Sequence, residues 1–445
     1  MQSRAETANL ERVNGRLAEL AGALRDRLVQ NIAGLVRIPS ENTPPVGAEL
    51  ECQRHICRHL ARLGLEAELY RPDQVEGLQD HPVFKAGRDY TNRPNLIALW
   101  PGTGGGKSLL LSGHIDTVPR GSEQWHRDPF GAELEGNRLY GLGSNDMKGG
   151  IGAALLALEM LRELGISLNG DLTMETIVDE EFGGVNGTLA ARLRGHNADG
   201  AILCEPSQTA ICPAQTGGRT VHITLRGSGS GILYENKPQV RALDQLYFLL
   251  GKVEEFSRQR GTTAPIHALY RSSSDPVPVW VTKIHYGGWG PREPITLPTH
   301  CRVEMYWQAM PGEEQEDIER EFFSWLDALG SERPDLFSAR PEVEFPIRWL
   351  PGSAIDSGNT LVQELAQTYT QVTGRAAEIQ GIGGPCDLFV FHQHFLTPAV
   401  LFGPKGGNTH APDEWVDLDS ALLTAEVLAR FICRWCGVDW ERSSF

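Results

Sequence analysis

The chain contains no uninterrupted apolar run of membrane-spanning length, so no membrane partner is expected. Its first residues carry Arg4, Glu6, Glu11 and Arg12 and lack the apolar core of a secretory signal. Positive charge is scarce: 41 Lys and Arg stand against 57 Asp and Glu, a net charge of −16. Phosphate binding needs a basic surface, so nucleic acid is excluded as the expected partner. The charge says little about a small-molecule substrate, because a cleft can oppose the global sign. Cysteine is sparse, eight in 445 residues, and no disulfide framework is required, which makes a reducing cytoplasm the expected compartment. Cys433 and Cys436 have CxxC spacing, but they lie in the apolar pattern Leu428, Phe431, Ile432, Trp435 and have no second pair. They read as buried helix cysteines. Repeats and low-complexity tracts are also missing.

The remaining composition, 40% hydrophobic and 22% charged, is that of an ordinary globular protein, long enough for two or three domains. Leu10, Val13, Leu17, Leu20, Leu24 and Leu28 predict a helix over 8–37, ended by Ser40-Glu41-Asn42-Thr43-Pro44-Pro45. A helix is expected from Gly47 to Leu63, then strands near Leu65–Tyr70, Asn95–Leu99 and Ser108–Ser112. A buried Ala/Leu-rich helix over Gly149–Leu164 precedes strands at Leu172–Val178 and Ala201–Leu203. This alternation predicts an α/β fold with a mostly parallel sheet flanked by helices. Near Ala214 the pattern changes. Val221, Ile223 and Leu225 alternate with polar residues, and a strand-helix-strand-strand-helix-strand order follows to about residue 345. That order is a split βαβ, ferredoxin-like α+β unit inserted into the larger domain. The expected division is 1–214 with 346–445 for the first domain and 215–345 for the second.

Five polar clusters end these strands or lie in Gly/Pro-rich loops: Gly113-His114-Ile115-Asp116-Thr117-Val118-Pro119, Ser144-Asn145-Asp146-Met147-Lys148-Gly149-Gly150, Asp179-Glu180-Glu181-Phe182-Gly183-Gly184, Cys204-Glu205-Pro206-Ser207 and Asn408-Thr409-His410-Ala411-Pro412. A parallel sheet delivers such loops to one edge, where ligands bind. Two His and several carboxylates gathered there form a mixed N/O set suited to Zn²⁺, Mn²⁺ or Co²⁺. In order, spacing and sequence the clusters resemble the co-catalytic metallohydrolase family of acetylornithine deacetylase, succinyl-diaminopimelate desuccinylase, aminoacylase and glutamate carboxypeptidase. The resemblance runs from about Leu35 to the C-terminus.

The resemblance implies a catalytic domain interrupted by a lid through which two chains dimerise. It implies two divalent metal ions, zinc foremost, bridged by Asp146. His114 and Glu205 would complete one ion's ligands, and Glu181 and His410 the other's. Glu180 would be the general base, a carboxylate able to take a proton from water and pass it to a leaving nitrogen. Asp116 lies two residues after His114, so in extended backbone both side chains point the same way. Its carboxylate is expected to accept a proton from the imidazole's other nitrogen. Gly383-Gly384-Pro385-Cys386-Asp387 matches a substrate-side loop, with Cys386 at the usual Ser position. His126, His196, His267, His300, His392 and His394 match no motif and read as surface or packing residues, and Cys204 reads as a small core residue.

The lid departs from the family pattern. Gly231 stands where a His is expected, Ile295 where an Asn is, and Gln308 where an Arg is, while Leu142 replaces an Arg before the second cluster. His222 or His285 could substitute from a neighbouring strand. An exposed edge near Thr220–Leu225 offers a template for pairing in a homodimer. The expected activity is hydrolysis of an amide-type C–N bond in a small molecule, in the manner of a deacylase or carboxypeptidase. The alternatives are hydrolysis of another C–N bond, such as deamination, and a non-catalytic metal-binding homologue. A retained Glu180 argues against the last.

Overall fold

Short apolar runs rich in Leu, Ile and Ala cannot stay in water, and in this chain they pair into sheets. The computed structural model describes residues 4–183, 185–227, 232 and 240–444. Gly184 and Gly231 therefore lie outside the described residues. The chain forms two compact units: 1–214 with 354–380 and 387–445, and 215–353 with 381–386.

In the first unit the strands lie in the order Ile211–Gln215, Ala399–Leu401, Gly200–Leu203, Leu109–His114, Leu172–Ile177, Asn95–Trp100, Ala67–Tyr70. The four from Ala399–Leu401 to Leu172–Ile177 run parallel, and the flanking ones run antiparallel. The sheet is therefore mixed, with the expected parallel order confined to its centre. Burial is complete along Leu109–His114, which explains its continuous apolar run. Helices cover both faces. Leu96, Ala98, Leu109 and Leu111 pack with the helices Gly149–Glu163 and Leu418–Cys436, while Ile97 faces Leu189 and Ala190 of Asn186–Leu193. Gly150 is required where the Gly149–Glu163 helix starts: a Cβ there would land on the carbonyl oxygen of Cys204. Cys433 and Cys436 are buried and free in the terminal helix.

The predicted helix over 8–37 is broken at Leu24 into Arg4–Ala23 and Arg25–Val36. Among the described residues no helix is long and apolar enough to cross a membrane.

The second unit is a four-stranded antiparallel sheet in the order Val279–Tyr286, His300–Ala309, Gly217–Arg226, Glu342–Glu344. Its helices Ala242–Thr263 and Gln315–Glu332 pack on the face made by Val221, Ile223, Leu225, Val303, Met305 and Trp307. The strand holding Thr220–Leu225 was expected at an edge; it lies inside the sheet, hydrogen-bonded on both sides. Alternating burial looks the same in edge and inner strands of a one-faced sheet, so the sequence pattern could not separate them. The edges are Val279–Tyr286, where Trp280 and Ile284 are half exposed, and the short Glu342–Glu344. The unit runs past residue 345 to Ser353, where Leu350 bridges Gly218. It also takes in Gly381–Cys386: Gln308 Nε2 donates to the Gly383 carbonyl at 2.8 Å, and Cys386 Sγ lies 3.1 Å from Gln215 Oε1.

Candidate metal centre

Five side chains from separate clusters converge at the sheet edge of the first unit. His114 ends the central strand, and its Nε2 lies 2.9 Å from Asp146 Oδ1 and 3.8 Å from Glu205 Oε2. His410 Nε2 lies 3.3 Å from Asp146 Oδ2 and 3.0 Å from Glu181 Oε2. The two oxygens of Asp146 thus face two different imidazoles, and each imidazole has a second carboxylate of its own. Ligand atoms of His114, Asp146 and Glu181 all fall within 4.8 Å of one another, the only such group among the described residues.

Each local backbone has a physical reason. Asp179, Asn408 and His410 hold φ of +67°, +55° and +60°, a left-handed region that Asp, Asn and His enter more readily than most residues. The His410 loop joins the short strands Gly406–Gly407 and Trp415–Asp417, and Asn145 Nδ2 ties it to Thr409 Oγ1 at 2.7 Å. The adjacent glutamates separate. Glu181 pairs with His410 and accepts the Val118 N–H at 3.1 Å. Glu180 instead lines a cavity of about 10 Å³, room for one water, together with His114, Glu205, Thr188 and Asp387.

Asp116 does not orient His114 through its carboxylate. Nδ1 of His114 is 2.9 Å from the Asp116 backbone carbonyl and 3.7 Å from the nearer carboxylate oxygen. The strand ends at His114, so the alternation that would align residues 114 and 116 no longer applies. The Asp116 carboxylate accepts the backbone N–H groups of Glu180 at 3.1 Å and Glu181 at 3.2 Å, and Asn42 Nδ2 at 2.8 Å. It grips the turn that presents both glutamates. Gly383 and Gly384 have open space around them, and Cys386 is half buried; all three belong with the second unit, while Asp387 is buried in the first and accepts from Thr188 Oγ1 at 2.6 Å.

Two positioning groups escaped the sequence reading. Glu414 is buried and accepts the N–H groups of Gly143, Asn145 and Asp146 at 2.7, 2.8 and 2.9 Å, which fixes the segment carrying Asp146. Its signal was a glutamate four residues after His410 in a Pro-containing loop. Asn42 is the other. Of the residues set aside, His126 pairs with Asp413 at 2.6 Å; His222, offered as a substitute for the lid histidine, has both ring nitrogens taken by Glu304 and Arg302. Ile295 is exposed, Leu142 is buried, and Gln308 spends its amide on the Gly383 carbonyl.

The electrostatics suit a cation. Burial works against charge on His114, but Glu205 and Asp146 outweigh it and hold the ring well above its ordinary pKa. His410 is pushed up to about 12, with Glu181 and Asp146 overcoming its partial burial. Burial raises Glu180 well above the carboxylate range and Glu205 to about 8, and raises Glu181 as well. Asp146 alone is lowered, because both imidazoles outweigh its burial. An all-N/O set with more carboxylates than imidazoles fits hard or borderline divalent ions.

Comparison with known proteins agrees over nearly the whole chain. The sequence profile of peptidase family M20/M25/M40 matches residues 110–434. The chain is similar to the N-formyl-4-amino-5-aminomethyl-2-methylpyrimidine deformylase of Halalkalibacterium halodurans, 26% identical over 433 residues and covering 93% of this chain and 95% of that one. It is similar to the succinyl-diaminopimelate desuccinylase of Leptothrix cholodnii, 26% identical over 374 residues and covering 82% and 88%. Its fold matches the dipeptidase Dug1p of Saccharomyces cerevisiae with a TM-score of 0.74 at 13% identity, covering 96% and 98%.

Proposed function

The chain belongs to peptidase family M20/M25/M40, a hydrolase family, and from that premise we propose that it cleaves the amide C–N bond of a small N-formyl or short N-acyl amine. The observation that carries the site assignment is Asp146, with one oxygen toward each imidazole. His114 and Glu205 would hold one divalent ion and His410 and Glu181 the other, zinc foremost, with Asp146 shared between them. Bound there, the ions would polarise the substrate carbonyl and make water a stronger nucleophile. Glu180, unpaired with either ring, takes the proton of the attacking water on its carboxylate and gives it to the leaving nitrogen. Asp116 and Glu414 hold the backbones that aim these groups.

The substrate reading rests on the lid. Gln308 stands where the family's Arg would meet a substrate carboxylate, and its amide is already bonded to Gly383. An N-acyl amine without a free carboxylate beside the amide suits that arrangement, as the deformylase likeness does. An assay panel decides. It contains N-formyl-4-amino-5-aminomethyl-2-methylpyrimidine, N-succinyl-diaminopimelate, N-acetylornithine, a dipeptide and an aryl amine, each with Zn²⁺, Mn²⁺ or Co²⁺. The formyl compound should be the best substrate; brisk turnover of acetylornithine or the dipeptide would refute the lid argument, and release of ammonia from the aryl amine would favour deamination.

The lid unit would pair with its copy along Val279–Tyr286, where Trp280 and Ile284 stand half exposed on an open strand edge. Ile284→Lys should convert a dimer to a monomer in analytical ultracentrifugation; a wild-type monomer would overturn the pairing.

A further inference from the structure

We infer that Asn42 is a positioning residue whose single amide nitrogen couples the two acidic groups on which the Glu180–Glu181 turn hangs. The segment bearing it is fixed against the loop after His114. Asn42 N–H donates to the Thr117 carbonyl at 2.8 Å, Thr117 N–H donates to the Ser40 carbonyl at 3.0 Å, and Ser40 Oγ donates to the Ile115 carbonyl at 2.7 Å. The side chain is wholly buried. Its Nδ2 donates to Asp116 Oδ2 at 2.8 Å and to Asp179 Oδ1 at 3.3 Å.

Both carboxylates belong to the framework of the turn. Asp116 accepts the N–H groups of Glu180 and Glu181. Asp179 is the left-handed residue that begins the turn, and it is locked by Tyr90 Oη at 2.6 Å, Arg88 at 3.1 Å and Arg93 at 3.6 Å. Arg93 is shared with Glu49 at 2.6 Å. Asp179 and Glu49 thus share two guanidinium groups, while Asp116 and Asp179, both buried, repel each other with little solvent between them. The Asn42 amide supplies a donor common to both carboxylates without adding a charge. Without it, Asp116 and Asp179 lose their common partner and repel, and the turn carrying both glutamates is free to shift. Misplacing a reacting group by about 1 Å can cost roughly 10²-fold in rate.

The test uses the full chain and two variants. Asn42→Ser shortens the donor and adds no charge; Asn42→Asp keeps the shape, removes the donor and adds a carboxylate. Zn²⁺ binding is measured by calorimetry, melting by scanning calorimetry, and kcat and KM on the panel amide that the wild-type enzyme cleaves. Loss of an outer partner of a metal site weakens metal affinity or activity by roughly 10–100-fold. Asn42→Ser should lie near the lower end of that range for both Zn²⁺ affinity and kcat, with KM within about threefold of wild type, because Glu180 acts in the transition state. Asn42→Asp should be worse. Where Asn42→Asp does not fold, Asn42→Ser decides alone. Lower melting temperatures with undiminished Zn²⁺ affinity and kcat would reduce Asn42 to a structural role and overturn the inference. The inference uses the hydrolase reading only for its kinetic readout. A wild-type chain that takes up no Zn²⁺ would sink both, whereas equal uptake by wild type and variants sinks only the Asn42 assignment.

Discussion

Adjacent identical residues can have different work because their neighbours differ. Glu181 is paired with His410, while Glu180 lines the cavity beside His114 and Glu205. Glu180→Gln should therefore keep Zn²⁺ uptake and melting temperature but lower kcat by roughly 10²–10⁴-fold, since an amide cannot accept the water's proton. Turnover near wild type on the true substrate would remove Glu180 from the mechanism. A residue far from the ligands gives a separate pH prediction. His392 donates Nε2–H to the Ala399 carbonyl at 2.9 Å, its buried Nδ1 has no partner among the described residues, and burial lowers its pKa to about 4. In the unfolded chain the ring titrates near 6.5. Below that pH the unfolded state takes up a proton that the native state refuses, so the stabilisation is complete above about 6.5 and is lost as pH falls toward 4. The loss should reach about 2 kcal/mol by pH 5. Urea midpoints at pH 7 and pH 5 should converge in His392→Gln, whose amide can still donate to Ala399; an unchanged pH dependence would contradict this.

At the scale of elements, the second cluster depends on how closely a helix can approach a strand. Gly149 and Gly150 open the helix Gly149–Glu163, and the position of Gly150 leaves no room for a methyl group beside the Cys204 carbonyl. Residue 204 precedes Glu205, so this approach sets the spacing between the Asp146 and Glu205 segments. Gly150→Ala would gain helix propensity of about 1 kcal/mol but force backbone apart, an overpacking cost of roughly 1–3 kcal/mol or more. The expected result is a lower melting temperature together with weaker Zn²⁺ binding. Gly251, also helical but with open space around it, is the control: Gly251→Ala should raise stability. A stabilising Gly150→Ala would show that the helix can shift freely.

For the whole molecule, the strongest consequence is that the side chains proposed as metal ligands come from residues 114 to 410, nearly 300 positions apart in the chain. Ions bound there bind the folded state only and should stabilise it. At a free ion concentration a hundredfold above Kd the gain is about 2.7 kcal/mol. Dialysis against a chelator should lower the melting temperature, and Zn²⁺ should restore it in wild type but far less in Asp146→Ala. Equal restoration in both would place the binding elsewhere.

The sequence by itself determined the family pattern, the α/β alternation and the five polar clusters, because these are local: apolar runs make strands, and charged residues at their ends have few other uses. It also determined that Cys433 and Cys436 would be buried on a helix, since their apolar neighbours recur at helical spacing. Tertiary structure alone decided which strands became edges, moving the open one from Thr220–Leu225 to Val279–Tyr286, because pairing partners come from distant chain segments. It alone gave Asp116 its clamp on the Glu180–Glu181 turn, because the chain leaves the strand after His114. Asn42 and Glu414 could not be singled out in sequence for the same reason. Asn42 bonds carboxylates 74 and 137 positions away and Glu414 bonds a backbone N–H 271 positions away, and no local pattern encodes a hydrogen bond of that range.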